Sequence, residues 1–146
     1  MFITADDFRI RAENFDVTKG ANILRIICGA FFFPHIANKF VAGSLSASTV
    51  GFFAKAGFYP PEAWVYIAAF SEALCALALI FGICTRFATL GAAAILLIAA
   101  YAVHVVKGFG WTWNNGGYEY PIFWAIVCAV VAMDEWKRYR SNRKAS

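Results

Sequence analysis

Charged residues are scarce in this chain. Asp, Glu, Lys and Arg make up 15% of its 146 residues, whereas they form about 25% of ordinary soluble domains. No polar stretch is long enough for a separate soluble domain, because four apolar stretches of about 20 residues, the length of a membrane-spanning helix, fill most of the sequence. Hydrophobic residues reach 61%. These features exclude an ordinary soluble protein and predict a protein embedded in a lipid bilayer.

Cysteine motifs and cofactor signatures are also missing. The four cysteines show no C-x-x-C spacing and have no histidine at metal-ligand spacing. We expect them to pack as small hydrophobic residues and to form neither a redox dithiol nor a metal site. No flavin, haem or iron–sulfur signature is present, so electrons for any redox reaction would come from another protein. His35, His104 and Glu119 are suitable metal ligands by residue type, and two histidines suit haem ligation, but no spacing supports either site.

A folded basic surface is lacking, which argues against a nucleic-acid partner. The basic residues instead crowd a C-terminal tail, where they are Lys137, Arg138, Arg140, Arg143 and Lys144. Short segments rich in Lys and Arg stay in the cytoplasm. We therefore expect a multi-pass protein of the bacterial inner membrane with both termini cytoplasmic. A cleavable signal sequence is not expected, since the first apolar run is too long for a signal core.

The sequence predicts an all-α membrane protein, an antiparallel bundle of four transmembrane helices. The predicted spans are about residues 20–40, 61–83, 86–107 and 118–136. This transmembrane domain of residues 20–136 lies between an N-terminal cytoplasmic segment of residues 1–19 and the basic tail of residues 137–146. Pro34 predicts a kink in the first span. The Phe-rich stretch of residues 50–58 predicts a short interfacial helix in the first outer loop.

Ionisable side chains inside the spans are the candidates for function. They are Arg25 and His35 in the first span, Glu72 in the second and His104 in the third, with Lys39, Lys107 and Glu119 at the outer boundary. A charge facing lipid at the bilayer centre costs about 2.5–3.5 kcal/mol even on a lenient scale. We therefore expect these groups to turn inward and to surround a polar pocket that opens outward.

Glu72 needs a cation or a proton, because Ala, Leu and Phe surround it. Arg25 is the expected partner, in a structural ion pair with Glu72. If Glu72 is instead neutral, it can exchange protons with a redox ligand. His35 and Lys39 are four residues apart and share one helix face, so together they present a proton donor and a positive charge. The simpler alternative for both is an interfacial histidine and a lysine that extends to the membrane surface.

Several motifs in order resemble the DoxX family of small bacterial four-helix membrane proteins. They are Arg25, His35-x-x-x-Lys39, Ala56-Gly-Phe-Tyr-Pro-Pro61, Glu72 followed by Gly82-x-x-Thr-Arg86, and Asn115-Gly-Gly-Tyr-Glu-Tyr-Pro121. The chain departs from the family at Ile36, where Gly is common. The resemblance implies four helices in the cytoplasmic membrane and an association with quinone-linked oxidoreductase complexes, including thiosulfate:quinone and thiol-stress systems.

Together these observations predict a membrane subunit that binds a quinone, or a similar apolar redox molecule, without a covalently bound cofactor. Glu72 and His35 are the candidate catalytic residues. The candidate ligand-binding residues are Lys39, His104, Asn115, Glu119, Tyr118, Trp111 and Trp113. A redox partner protein is expected, and small residues on the helix faces allow self-association. The alternative is a non-catalytic scaffold or small-molecule carrier whose buried charges are structural.

Overall fold

The structure, a computed structural model, describes the backbone of residues 3–145 and the side chains of residues 3–141. Six α-helices make up most of it. They are α1 (Gly20–Ala30), α2 (Phe32–Ala37), α3 (Ala47–Lys55), α4 (Pro61–Phe81), α5 (Thr85–Lys107) and α6 (Glu119–Ala145). Three 3-10 turns, Ala5–Phe8, Ala12–Phe15 and Trp113–Asn115, and a hairpin of β1 (Phe40–Val41) and β2 (Ser44–Leu45) complete the described part.

The first apolar stretch is divided into two helices by a break at Phe31. Pro34 causes this break, because it has no N–H to donate to the carbonyl of Ala30 and its ring crowds that carbonyl. Ala30 is the last residue of α1. The predicted kink is therefore confirmed, and it lies one turn before the proline.

A tight hairpin after α2 leads into α3. The strands pair antiparallel with Phe40 opposite Leu45, and the turn between them needs left-handed backbone at Gly43, where φ is +82°. The hydroxyl of Ser46 then accepts a hydrogen bond from the Thr49 N–H at 3.5 Å and caps α3. A helix at Ala47–Lys55 thus exists where a short outer helix is predicted, and its position at the membrane interface stays a prediction.

The core lies where α1, α4, α5 and α6 meet. Helix α5 packs along α6 and α4, and α1 packs along α4 and α6. Phe32, Leu79, Leu96 and Trp124 are buried there together with Cys28 and Cys128, which come from α1 and α6. Gly29 allows the close α1–α4 contact, because a Cβ at this position would lie 2.8 Å from the backbone oxygen of Ala76.

In the described part of the chain, three helical segments are long and apolar enough to cross a membrane. They are Gly20–Ala37, Pro61–Phe81 and Thr85–Lys107, with mean hydropathies of 1.4, 2.0 and 2.1. These segments match three of the four predicted spans. Helix α6 is long enough but carries Glu119, Asp134 and Glu135 at the ends of its apolar centre. Its crossing of the membrane stays a prediction. The helix also continues through the predicted tail to Ala145.

The N-terminal segment packs against the ends of the bundle beside the α4–α5 turn. The carboxylate oxygens of Asp7 each lie 2.8 Å from Nη2 of Arg86, and the Cys84 N–H donates to the Asp7 carbonyl at 2.7 Å. Burial disfavours the charged form of Asp7, but hydrogen bonds from the Thr4 backbone and from Arg86 outweigh it, so the pKa of Asp7 lies below its ordinary value. The segment and the turn therefore lie on the same side of the bundle.

Candidate functional site

The side chains of Lys39 and Glu72 form a buried ion pair between the end of α2 and the middle of α4. The Lys39 Nζ lies 2.6 Å from one carboxylate oxygen of Glu72 and 2.8 Å from the other. Each residue is only 8% exposed. The Nζ also donates to the His35 carbonyl at 3.1 Å, one of the carbonyls that the end of α2 leaves without a helical donor. Two charges this close and this enclosed attract each other strongly, because little water is present to screen them.

The backbone around Lys39 fixes this geometry. Its N–H donates to the Ile36 carbonyl at 3.1 Å, and its own carbonyl accepts from the Ser46 N–H at 2.9 Å. The residue is thus held between the last turn of α2 and the hairpin, so its side chain points back along the bundle. Glu72 lies eleven residues after Pro61, which is about 16 Å from the start of α4. The ion pair therefore lies near mid-bundle.

The predicted ion pair between Arg25 and Glu72 is wrong. The Arg25 guanidinium donates to the carbonyls of Leu79 and Ile80 near the end of α4, and to the Asn14 carbonyl. Leu79 is seven residues beyond Glu72, about 10 Å further along the helix. Arg25 matches the negative end of the α4 dipole and the carbonyls left open there. Sequence reasoning counted charged side chains only and so overlooked these backbone acceptors.

The ion pair lines an apolar cavity of about 600 Å³, which we call the Lys39–Glu72 cavity. Its volume falls within the range of small-molecule sites, roughly 300–1,000 Å³. Side chains from α2, α3, α4 and α5 surround it. Besides the ion pair, they include His35, Phe52, Phe53, Phe58, Trp64, Ile95, Ile98 and Tyr101. A few polar groups in a mostly apolar and aromatic enclosure are the usual composition of a site for an apolar ligand with a polar end.

Helix α3 supplies an aromatic wall of this cavity that sequence reasoning missed. The rings of Phe53 and Phe58 are 5.6 Å apart, and those of Phe58 and Trp64 are 5.4 Å apart. These contacts tie α3 and the following turn to the start of α4. The available signal was the run of phenylalanines at residues 50–58, which was attributed to the membrane interface alone.

A second cavity, the α2–α6 groove, is lined by three of the other predicted ligand-binding residues, Trp111, Trp113 and Glu119. Its volume is about 820 Å³. It is lined by Phe31, Pro34, His35, Trp111, Trp113, Glu119, Tyr120, Ile122, Phe123 and Ile126. The single outward pocket expected from the sequence is thus two cavities. Glu72 and Lys39 line the first, and Glu119, Trp111 and Trp113 line the second.

His35 lines both cavities. Its imidazole packs on the ring of Trp124, with centroids 5.6 Å apart, and Trp124 is only 5% exposed. A rigid ring of the core therefore holds the histidine side chain. His35 is the one predicted catalytic residue that could contact ligands in either place.

The remaining candidates, His104, Tyr118 and Asn115, do not line either cavity. The ring of Tyr118 lies edge-on to His104, Phe109 and Trp111, at centroid distances of 5.7, 6.2 and 6.2 Å. This aromatic cluster holds the α5–α6 loop to the end of α5. Asn115 donates to the Thr112 hydroxyl at 3.4 Å inside the same loop. These three residues position the loop that carries Trp111 and Trp113.

Potential metal ligands are dispersed. No group of three or more His, Cys, Asp or Glu side chains that could hold a metal ion occurs among the residues that the structure describes. His35 and His104 also contact different aromatic residues, Trp124 and Tyr118. The geometry therefore directs attention to the Lys39–Glu72 ion pair and to noncovalent ligands.

Comparison with known proteins identifies the family. The sequence model of DoxX matches residues 20–105, more than half of the chain. No curated protein and no solved structure matches the chain. Every residue that lines the Lys39–Glu72 cavity, from His35 to Val103, lies inside the matched range, whereas most of the α2–α6 groove lies outside it. The resemblance found in the motifs is confirmed: the chain is a membrane protein that belongs to the DoxX family.

Proposed function

We propose that this protein binds a membrane quinone in the Lys39–Glu72 cavity and acts as a membrane subunit of a quinone-linked oxidoreductase system. The observation that carries the proposal is the buried ion pair in the wall of a mostly apolar cavity of about 600 Å³. A quinone matches this composition, because its ring and chain are apolar and its two oxygens need hydrogen-bond partners.

Each member of the pair has a role in this proposal. The Lys39 Nζ carries three hydrogens, so it can donate to a quinone oxygen while it stays close to Glu72. The Glu72 carboxylate accepts a proton when a quinol is oxidised, or returns one when a quinone is reduced. Reduction of a quinone takes two electrons and two protons, and in this proposal Glu72 passes the two protons one after the other and is reprotonated in between. The electrons would come from a partner protein, since no redox cofactor signature is present in the sequence.

The aromatic wall supports the same ligand class. Phe52, Phe53, Phe58 and Trp64 line the cavity opposite α5, and aromatic rings favour offset or edge contacts with another flat ring. His35 lies between the ion pair and the α2–α6 groove. We propose that it relays protons from Glu72 toward the outer boundary of the membrane.

We also propose that α6 is a fourth span and that both termini are cytoplasmic in a bacterial inner membrane. Along α6, Val130 and Met133 are 53% and 60% exposed, as expected of a helix face turned to lipid. The N-terminal segment and the α4–α5 turn share one side of the bundle. Arg86, Arg9 and Arg11 lie there, in agreement with the positive-inside rule.

A structural role for the ion pair is the second candidate, and one observation favours it. Lys39 bonds both the His35 carbonyl and Glu72, so the pair also joins α2 to α4. In that case the protein would be a scaffold or a small-molecule carrier whose charges fix the helix positions.

A test of quinone binding distinguishes the quinone-binding role from the structural role. Protein extracted in mild detergent is tested for co-purified quinone by lipid extraction and mass spectrometry, and for a rise in Tm on adding a short-chain quinone. The double variant with Lys39→Met and Glu72→Met keeps an apolar, filled site, so it should fold but lose both signals. Glu62→Gln, a change in an exposed first-turn carboxylate of the same helix, is the matched control and should keep them. Absence of both signals in the wild type would refute quinone binding.

A further inference from the structure

The α2–α6 groove has a carboxylate at its loop end that is not neutralised by a nearby cation. Glu119 begins α6, and its Oε2 accepts a hydrogen bond from the Trp113 N–H at 3.3 Å. Within residues 3–141, no lysine or arginine lines the groove and Glu119 makes no salt bridge. Glu119 is thus the acidic group of the groove.

Several aromatic rings share the groove with Glu119. Phe31, Trp111, Trp113, Tyr120 and Phe123 all line the groove. Trp111, Trp113 and Phe123 are 50%, 66% and 62% exposed, so their surfaces are not fully used in protein packing. Faces of aromatic rings attract cations, and tryptophan does so most strongly. A carboxylate with several open rings is the chemistry that recognises an alkylated ammonium.

The groove becomes apolar with distance from the loop. Ile122 and Ile126 lie three and seven residues after Glu119 on α6, so the lining continues about 10 Å along the helix. Phe31 and Pro34 face them from the α1–α2 break. A ligand with its charge at Glu119 would place an apolar chain against these residues.

We propose that the α2–α6 groove binds an amphiphilic organic cation, an alkylated ammonium whose charged end lies against Glu119 and whose chain lies along Ile122 and Ile126. The ligand comes from solution or the lipid phase as a small molecule and is not a phospholipid. This site is separate from the Lys39–Glu72 cavity, so the proposal does not depend on quinone binding.

The test uses the full chain in nanodiscs of phosphatidylethanolamine and phosphatidylglycerol. Equilibrium dialysis measures the Kd of radiolabelled hexyltrimethylammonium. Glu119→Gln should weaken binding about tenfold, the ratio that corresponds to about 1.4 kcal/mol. Glu62→Gln is the matched control: Glu62 is also an exposed carboxylate in the first turn of a long helix but lies outside the groove. This variant also removes one negative charge from the protein, and it should leave the Kd unchanged. Weaker binding by Glu119→Gln alone would therefore not be due to a general change in charge near the anionic lipid.

Two further arms define the ligand class. The neutral analogue with a tert-butyl group in place of trimethylammonium should not displace the probe. Equal displacement by the neutral analogue, or equal affinity of the Glu119→Gln protein and the wild type, would overturn the proposal. Nanodiscs that contain phosphatidylcholine should bind the probe as before, and loss of binding there would assign the groove to a lipid headgroup instead.

Discussion

Breaking the Lys39–Glu72 pair from either side should be far more harmful than removing it whole. Glu72→Met leaves the Lys39 ammonium, which is 8% exposed, with the His35 carbonyl as its one hydrogen-bond partner among residues 3–141. Lys39→Met leaves the Glu72 carboxylate equally buried and without its only salt bridge in the described part of the chain. The double variant removes both charges and fills the same space with apolar atoms.

The size of the effect follows from burial. Removing one member of a buried ion pair costs about 3–5 kcal/mol, because the remaining charge is desolvated and uncompensated. A buried lysine without a partner can lose its proton and become neutral. For an ordinary lysine at pH 7 this costs about 4.6 kcal/mol, so the loss of stability from Glu72→Met cannot exceed about that value. Replacement of a whole buried pair by apolar residues is commonly neutral or stabilising. We therefore expect each single variant to lose about 3–5 kcal/mol and the double variant to lose less than about 1 kcal/mol.

The assay is equilibrium unfolding in mixed micelles, with helix content followed by circular dichroism for the wild type and all three variants. The coupling free energy of the cycle is the sum of the two single losses minus the double loss, and it should exceed about 3 kcal/mol. Losses that simply add would refute the ion pair as described, because noninteracting sites add within about 0.5 kcal/mol. So would single variants as stable as the wild type.

Three further changes test other parts of the structure. Arg25→Met should lower the free energy of unfolding by about 1–3 kcal/mol, because hydrogen bonds to buried carbonyls are lost. In a double-mutant cycle with Glu72→Met, the two losses should add within about 0.5 kcal/mol. Strong coupling would instead support the Arg25–Glu72 ion pair. Gly29→Ala should lower the free energy of unfolding by about 1–3 kcal/mol, because the added Cβ is overpacked against α4. Gly51→Ala should be neutral or stabilising, because a Cβ there meets nothing within 4 Å. Equal unfolding free energies of the two variants would contradict this. Asp7→Asn should destabilise the protein by about 1–3 kcal/mol at pH 7. The folded-state pKa of Asp7 is lowered, so its contribution to stability is complete above the unfolded pKa of about 3.9 and is lost as pH falls through the lower folded pKa. The unfolding free energies of wild type and variant should therefore converge below about pH 3.9. A constant difference down to pH 2 would be inconsistent with this.

Hydropathy was enough to predict the helical architecture. Runs of about 20 apolar residues left little alternative to membrane-length helices, and Pro34 predicted the interruption of the first span because its effect on a helix is local. The ends of the helices were harder. Helix α6 continues past residue 136 to Ala145, since charged residues such as Lys and Arg are good helix formers and hydropathy marks only the apolar part.

The pairing of buried charges was not predictable from position along the chain alone. Residue count alone does not show which cation, Arg25 or Lys39, pairs with Glu72. The pairing depends on the offset of α1 and α2 along the axis of α4. Close contact at Gly29 sets that offset. It places Arg25 at the carbonyls of Leu79 and Ile80 and leaves Lys39 for Glu72. The predicted end of the second span near residue 83 implied open carbonyls there, but only the packing offset shows that Arg25 reaches them.

The division of the expected pocket into two cavities has a similar origin. Glu72, inside the second span, and Glu119, at the outer boundary, were assigned to one outward pocket because all ionisable groups of the spans were expected to turn inward together. Which helix face each residue occupies depends on packing. Trp124 fills the core beside His35, while Glu72 faces the cavity that α3 and α5 enclose and Glu119 faces the groove beside α2.

The most direct test of the account is to locate a bound quinone chemically. A short-chain quinone carrying a photoreactive group is added to the full protein in nanodiscs, irradiated, and mapped by mass spectrometry of the labelled peptides, with unlabelled quinone as competitor. The account predicts competable labelling within residues 35–39, 49–72 and 95–103, which line the Lys39–Glu72 cavity. It also predicts loss of that labelling in the Lys39→Met, Glu72→Met double variant. Competable labelling confined to other segments, or labelling of the double variant at the wild-type level, would contradict it.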